Sequence, residues 1–189
     1  MFIELTDHLR CPADHDEAFL VLVPDRMEGR RVIAGRLGCP VCDWTCTWDD
    51  GIPSLGEAAP ASGAPSFDAA AALALLGLDG PGGWVAFAGR AGSLAHEFSG
   101  LLPDVNIVAV NPPENVRPGG AVSVIRSPVW PIKLHSMRGV VVGADADVQG
   151  AIASVLPGLR ATGEGDAPPL SGSDELVASA PGAWLIRHR

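Results

Sequence analysis

Cys39 and Cys42 stand in Gly38-Cys39-Pro40-Val41-Cys42, a Cys-x-x-Cys knuckle that brings two thiolates close enough to share one tetrahedral ion. The proline between them restricts the backbone. Two further donors lie upstream, Cys11 and His15, in Leu9-Arg10-Cys11-Pro12-Ala13-Asp14-His15. Cys11, His15, Cys39 and Cys42 together make a Cys₃His set, for which zinc is the expected ion. Cys46 is left as a spare ligand or a core thiol. A metal-free module held by Trp44, Trp48 and hydrophobic strands is the alternative.

Other chemically capable residues are less organised. Asp145 and Asp147 follow an apolar strand, at the edge where α/β sheets bind ligands, and could act as paired carboxylates or simply cap the next helix. His96 and Glu97 are adjacent on a helix, about 100° apart, and do not face each other. Ser93 and Ser99 lack a nucleophile elbow, and His8, His135 and His188 have no local partner to fix a tautomer. No acid occurs between Glu114 and Asp145, whereas Arg117, Arg126, Lys133 and Arg138 all fall there, with Trp130 among them. This basic stretch is a candidate interaction surface, Trp130 its candidate anchor; four solvated charges and a core tryptophan are the plainer alternative.

The elements that must position these residues divide the chain. Residues 1–58 read as short strands and turns: Ala18 to Val23 and Arg31 to Ala34 as a hairpin, the cysteine knuckle, then Trp44 to Trp48 running into Asp49-Asp50-Gly51. That is a zinc-ribbon pattern. Residues 59–65 are a linker of small residues and proline, and residues 66–189 form a second domain. Ser66 is a fair N-cap for a helix from about Phe67 to Leu76. Trp84 to Ala88 then reads as a strand entering Gly89-Arg90-Ala91-Gly92, which opens a helix from Ser93 to Leu102. Further short strands rich in Val and Ile follow at 105–110, 121–125, 139–142 and 159–162, with a helix at 147–156. The chain closes on a hairpin of 176–180 and 184–187. Continuous apolar strands point to a parallel sheet covered on both faces. The fold class is therefore α/β: a small ribbon-like β module followed by an abbreviated Rossmann-like sheet with a C-terminal β-hairpin.

Composition narrows the function. Of 189 residues, 47% are hydrophobic, enough for an ordinary core. Four cysteines, three of them clustered, fit a metal site better than a disulfide framework. The net charge is −9, with 5 basic and 11 acidic side chains in residues 1–58 alone, so no nucleic-acid partner is expected. Met-Phe-Ile-Glu-Leu-Thr-Asp has acids where an export signal has a basic region, and a cytoplasmic location is expected. The apolar run Ala69 to Leu78 is about half of the roughly 20 residues that cross a bilayer, so no transmembrane segment is expected. Peripheral association with a membrane complex is left open.

The run from Leu9-Arg10-Cys11-Pro12 through Gly38-Cys39-Pro40-Val41-Cys42 to Asp50-Gly51-Ile52-Pro53 resembles the small zinc-ribbon domains that activate tRNA and protein methyltransferases as partner subunits. The second knuckle and Asp-Gly-Ile-Pro match that pattern; in the first, Asp14 replaces the second cysteine, with His15 next to it. Residues 66–189 look like a shrunken class I S-adenosylmethionine-dependent methyltransferase domain. The resemblance would place cofactor contacts at Gly89, Gly92 and Asn111. It also implies three carboxylates, and this chain lacks them: the strand before the glycine turn holds no acid, Asn111 stands at the ribose position and Arg126 at the adenine position. Arg90 adds positive charge to the turn with no neighbouring acid in the motif to offset it. Charge-assisted hydrogen bonds are worth about 1.5 to 3 kcal/mol each, so S-adenosylmethionine binding is not expected. The expected role is a non-catalytic accessory or scaffold subunit that acts through protein partners in a larger assembly. A divergent methyltransferase, or an activator of a separate methyltransferase, is the alternative.

Overall fold

The structure is a computed structural model, and residues 1–172 and 174–189 are described. It is α/β, with a small antiparallel sheet followed by a large, mostly parallel one. The small sheet comprises β1 (Val21–Glu28), β2 (Arg31–Gly38) and β3 (Thr45–Trp48), in that order. Both hairpin strands run four to five residues beyond the ends expected from sequence. Their continuations, Pro24-Asp25-Arg26 in β1 and Gly35-Arg36 in β2, carry no apolar alternation, and cross-strand pairing extends them regardless.

The large sheet contains β4 (Trp84–Ala88), β5 (Asn106–Val110), β6 (Val122–Ile125), β7 (Met137–Val142), β8 (Val155–Glu164), β9 (Glu175–Ala180) and β10 (Ala183–Arg187). Its order is β6-β5-β4-β7-β8-β10-β9, a doubly wound arrangement with β10 antiparallel to both of its neighbours. β4, β5, β6 and β7 are buried on both faces almost throughout, which accounts for their unbroken apolar runs.

The helices are shorter than their sequence patterns suggest. α1 (Ala69–Leu76) starts at Asp68, not Ser66, because the Asp68 carboxylate accepts the Ala71 N–H at 2.7 Å. It ends at Gly77, which adopts the left-handed conformation. The turn after β4 forms a 3₁₀ segment, Gly89–Leu94, before α2 (Ala95–Leu101) begins. α3 (Val148–Ala153) stops early, and Val155 and Leu156 begin β8 instead of finishing the helix. Pairing of Val155 with Met137 draws these residues into the sheet.

The two faces of the large sheet are covered differently. α1 and α2 pack Ala72, Leu76, Ala95 and Phe98 against Val85, Phe87, Ile107 and Val124 on one face. The opposite face, including Ala86, Val108, Val140 and Trp184, shares a core with Met1, Leu5, Leu9, Val32, Leu37 and Leu55 of the N-terminal module, and with Ile152 of α3. The ribbon thus stands where further helices would otherwise lie. Polar links fix the contact: Phe2 N–H donates to Ser123 Oγ at 3.0 Å, and Arg126 N–H donates to Pro53 O while Leu55 N–H donates to Arg126 O. Asp50-Gly51-Ile52-Pro53 therefore leads the chain directly onto the edge of β6. Among the described residues, no helix is long and apolar enough to cross a membrane.

Candidate functional site

The four expected metal donors converge. Cys39 and Cys42 lie in the turn after β2, closed by a Cys39 N–H bond to Trp44 O. The loop carrying Cys11 and His15 is closed on itself by Cys11 N–H on Ala18 O and by the Arg10–Phe19 bridge. Cys11 Sγ and Cys42 Sγ are 3.8 Å apart, and Cys39 Sγ is 3.5 Å from His15 Nε2. Bond lengths of about 2.3 Å to sulfur and about 2.0 to 2.1 Å to nitrogen imply separations of about 3.8 and about 3.5 Å across a tetrahedron. All four donor atoms lie within 4.8 Å of one another.

The surroundings suit an ion as well. His15 Nδ1 is 2.6 Å from Asp16 O, so Nδ1 carries the proton and Nε2 turns its lone pair to the sulfurs. Burial pushes the Cys11 thiol up to about 12. At Cys39 the same desolvation is outweighed by the Val41 and Cys42 N–H groups and by the neighbouring thiols, and the thiol falls to about 6. This donor set can hold zinc. Asp14, at the position of the missing cysteine, is exposed and outside the cluster, and the adjacent His15 supplies the fourth donor. Cys46 lies in β3, half-buried and outside the donor set.

A second candidate site lies at the carboxyl ends of β4 to β7, where a cavity of about 390 Å³ is lined by Gly89, Asn111, Ser127, Trp130, Asp145 and Asp147. Residues 59–62 run along its rim, and Ala61 N–H donates to Asn111 O at 3.3 Å. The residues expected to meet a cofactor there are occupied within the protein. Asn111, with a φ of 50°, donates from Nδ2 to Ser127 O at 2.7 Å and accepts from Ser127 N–H at Oδ1 at 2.9 Å. Gly89 lies against the Asp145 carboxylate, which accepts the Arg90 N–H at 3.0 Å. Gly92 packs against Pro112. A Cβ at Gly92 would strike Pro112, and Gly89 takes a left-handed φ of 60° beside Asp145, so the local structure accounts for both glycines.

Arg90 has the counter-charge that its motif lacks. Its Nε donates to Glu164 Oε2 at 2.6 Å, and the Glu164 side chain is only 1% exposed. Glu164 also accepts from Ser66 N–H and, at 3.2 Å, from Ala144 N–H. Burial alone would raise this carboxyl, but the Arg90 guanidinium and the Ser66 N–H hold it below the ordinary value. Glu164 is 74 residues from Arg90 in the sequence, and nothing near it marks it as a partner. Of the two aspartates read as helix caps, Asp147 caps α3 through the Gly150 N–H, whereas Asp145 serves the glycine turn.

The basic stretch is dispersed among separate backbone contacts. Arg126 binds Pro112 O, Lys133 binds Asp7 O, and Arg138 binds the carbonyls of Asp79 to Gly82. Arg117 is exposed, and its carbonyl accepts from His96 Nε2. Trp130 is 3% exposed and packs against Gly150 of α3, as a core residue does.

No family model matches the chain, and no curated protein matches it. Among solved structures it is similar to two crystal structures of the antibiotic-resistance methyltransferase Kmr, each at 12% identity and covering 68% of this chain and 96% of that one. The TM-scores are 0.43 and 0.37.

Proposed function

We propose that this chain is a non-catalytic accessory subunit that acts through protein contacts, with its N-terminal ribbon organised by one zinc ion. The observation that carries the reading is the internal use of the sheet-edge groups. Both functions of the Asn111 amide are spent on the Ser127 backbone, and Arg90 is held by Glu164. A ligand at Asn111 would first have to break two hydrogen bonds. The ribbon also presents apolar side chains outward, with Phe19 56% and Val41 67% exposed beside Val21 and Val23, as a protein-binding surface does.

The 390 Å³ cavity at the ligand edge supports the second reading, a divergent methyltransferase. Calorimetric titration of the full chain with S-adenosylmethionine separates the two. The accessory reading expects no heat of binding at millimolar cofactor; micromolar affinity would replace it with the enzyme. Activation of a separate methyltransferase is supported less, because the inner face of the ribbon is already packed on this chain's own sheet. Purification from native cells would then show a stoichiometric companion that is not a methyltransferase.

A further inference from the structure

We propose that His135 and His188, with Asp174 behind them, form a second metal site for a borderline divalent transition ion such as Zn²⁺, Ni²⁺ or Cu²⁺. The site lies at the opposite end of the large sheet from the cavity, where His135 precedes β7 and His188 follows β10. His188 Nε2 is 3.1 Å from His135 Nδ1, and the two rings are inclined by only 25° with centroids 5.0 Å apart. Two imidazole nitrogens on one ion at about 2.0 to 2.1 Å are separated by about 2.8 to 3.0 Å in cis-octahedral and about 3.3 to 3.4 Å in tetrahedral geometry. The observed spacing lies in that range.

Each ring is positioned by groups outside the pair. Asp174 Oδ1 is 2.6 Å from His188 Nδ1, and the carboxylate side chain is 4% exposed. Its other oxygen accepts from Ser171 Oγ at 3.1 Å. The carboxylate thus assigns the proton of His188 to Nδ1 and turns the Nε2 lone pair toward His135, the carboxylate–histidine arrangement that supports metal ligands. The His188 backbone is fixed on both sides, by its N–H on Leu159 O and by Gly158 N–H on its own carbonyl. His135 takes a left-handed φ of 50°, stabilised by its N–H on Ala153 O, and that conformation aims the ring at His188. Val155 O, 3.4 Å from His135 Nδ1, is a nearby oxygen donor, and the exposed side of His135 leaves room for water to complete the shell. Without an ion, the same nitrogens share an N–H···N hydrogen bond.

This site is independent of the cysteine cluster and of the accessory reading, and Ni²⁺ titration of the full chain, first given one equivalent of zinc, which the three thiolates and His15 take in preference, tests it. One equivalent of Ni²⁺ is expected to bind without thiolate-to-nickel absorption, which would betray entry into the cysteine cluster. Asn tolerates the left-handed backbone, so His135→Asn keeps the fold and should weaken Ni²⁺ at least tenfold, as should His188→Gln. Asp174→Asn, which removes the support and not a ligand, should weaken it by about 10- to 100-fold. Thermal melts without added nickel show that each variant is folded. A wild-type chain that takes up no Ni²⁺, or takes it up only with thiolate absorption, overturns the proposal. So does a His135→Asn chain that binds nickel as tightly as wild type, which would place the ion on scattered surface histidines.

Discussion

Arg90 and Glu164 tie the glycine turn after β4 to the carboxyl end of β8, with Nε 2.6 Å from Oε2 and the glutamate side chain almost wholly buried. Through Ser66 and Ala144 the same carboxylate also holds the start of the segment leading to α1 and the loop after β7. One acid therefore closes the sheet edge at three points.

Replacing Glu164 with Gln keeps the shape but removes the charge that Arg90 and two N–H groups face. Loss of charge-assisted hydrogen bonds at a buried site is expected to lower stability by about 2 to 3 kcal/mol. Urea unfolding would show a lower midpoint with an unchanged slope.

Acid should act through the same residue. The folded Glu164 carboxyl lies below its ordinary value of 4.5, so the unfolded chain binds its proton first as pH falls. Its contribution is complete above about pH 4.5 and is lost as pH drops through the folded value. Thermal melts of wild type and Glu164→Gln should differ most near neutrality and converge in acid. A gap that stays constant down to pH 3 would remove Glu164 as the cause.

Zinc content should separate the cysteines. Cys39→Ser or Cys42→Ser is expected to bind about one equivalent of zinc less than wild type, and Cys46→Ser to match wild type, as read by elemental analysis of purified protein. Chelation should lower the melting temperature of wild type, because a bound ion would link the 11–15 loop to the knuckle after β2.

Trp130→Ala should destabilise the chain by about 3 to 5 kcal/mol, since the ring is buried against α3. A variant as stable as wild type in urea would move Trp130 back to a role as an interface anchor.

Asn111→Ala removes both bonds to Ser127 at a left-handed position and is expected to lower stability by about 2 kcal/mol. Amide hydrogen exchange should speed up at Ser127, whose N–H loses its acceptor.

Much of this molecule follows from local pattern. Apolar strands too short for helices, a glycine turn after the first of them and a terminal Pro-Gly hairpin define an α/β sheet, because burial on both faces demands unbroken apolar runs. The knuckle spacing likewise determined where two of the metal donors are, and nearby Cys11 and His15 completed the set. What needed coordinates was their convergence, since the loop carrying Cys11 and His15 is separated from the knuckle by the β1–β2 hairpin.

The long-range electrostatics were decided only by the tertiary fold. Arg90 looked uncompensated in its motif, yet its partner comes from the end of β8; His188 had no local partner, yet Asp174 and His135 stand beside it. The Arg90–Glu164 and His135–His188 pairs carry no spacing signal, because they form between segments brought together by strand order, whereas Asp174 meets His188 across the terminal hairpin once its register is set. The placement of the ribbon over one face of the sheet is of the same kind. Its apolar residues show in the sequence that it must bury a face, and only the folded chain shows that the face it buries against is its own sheet.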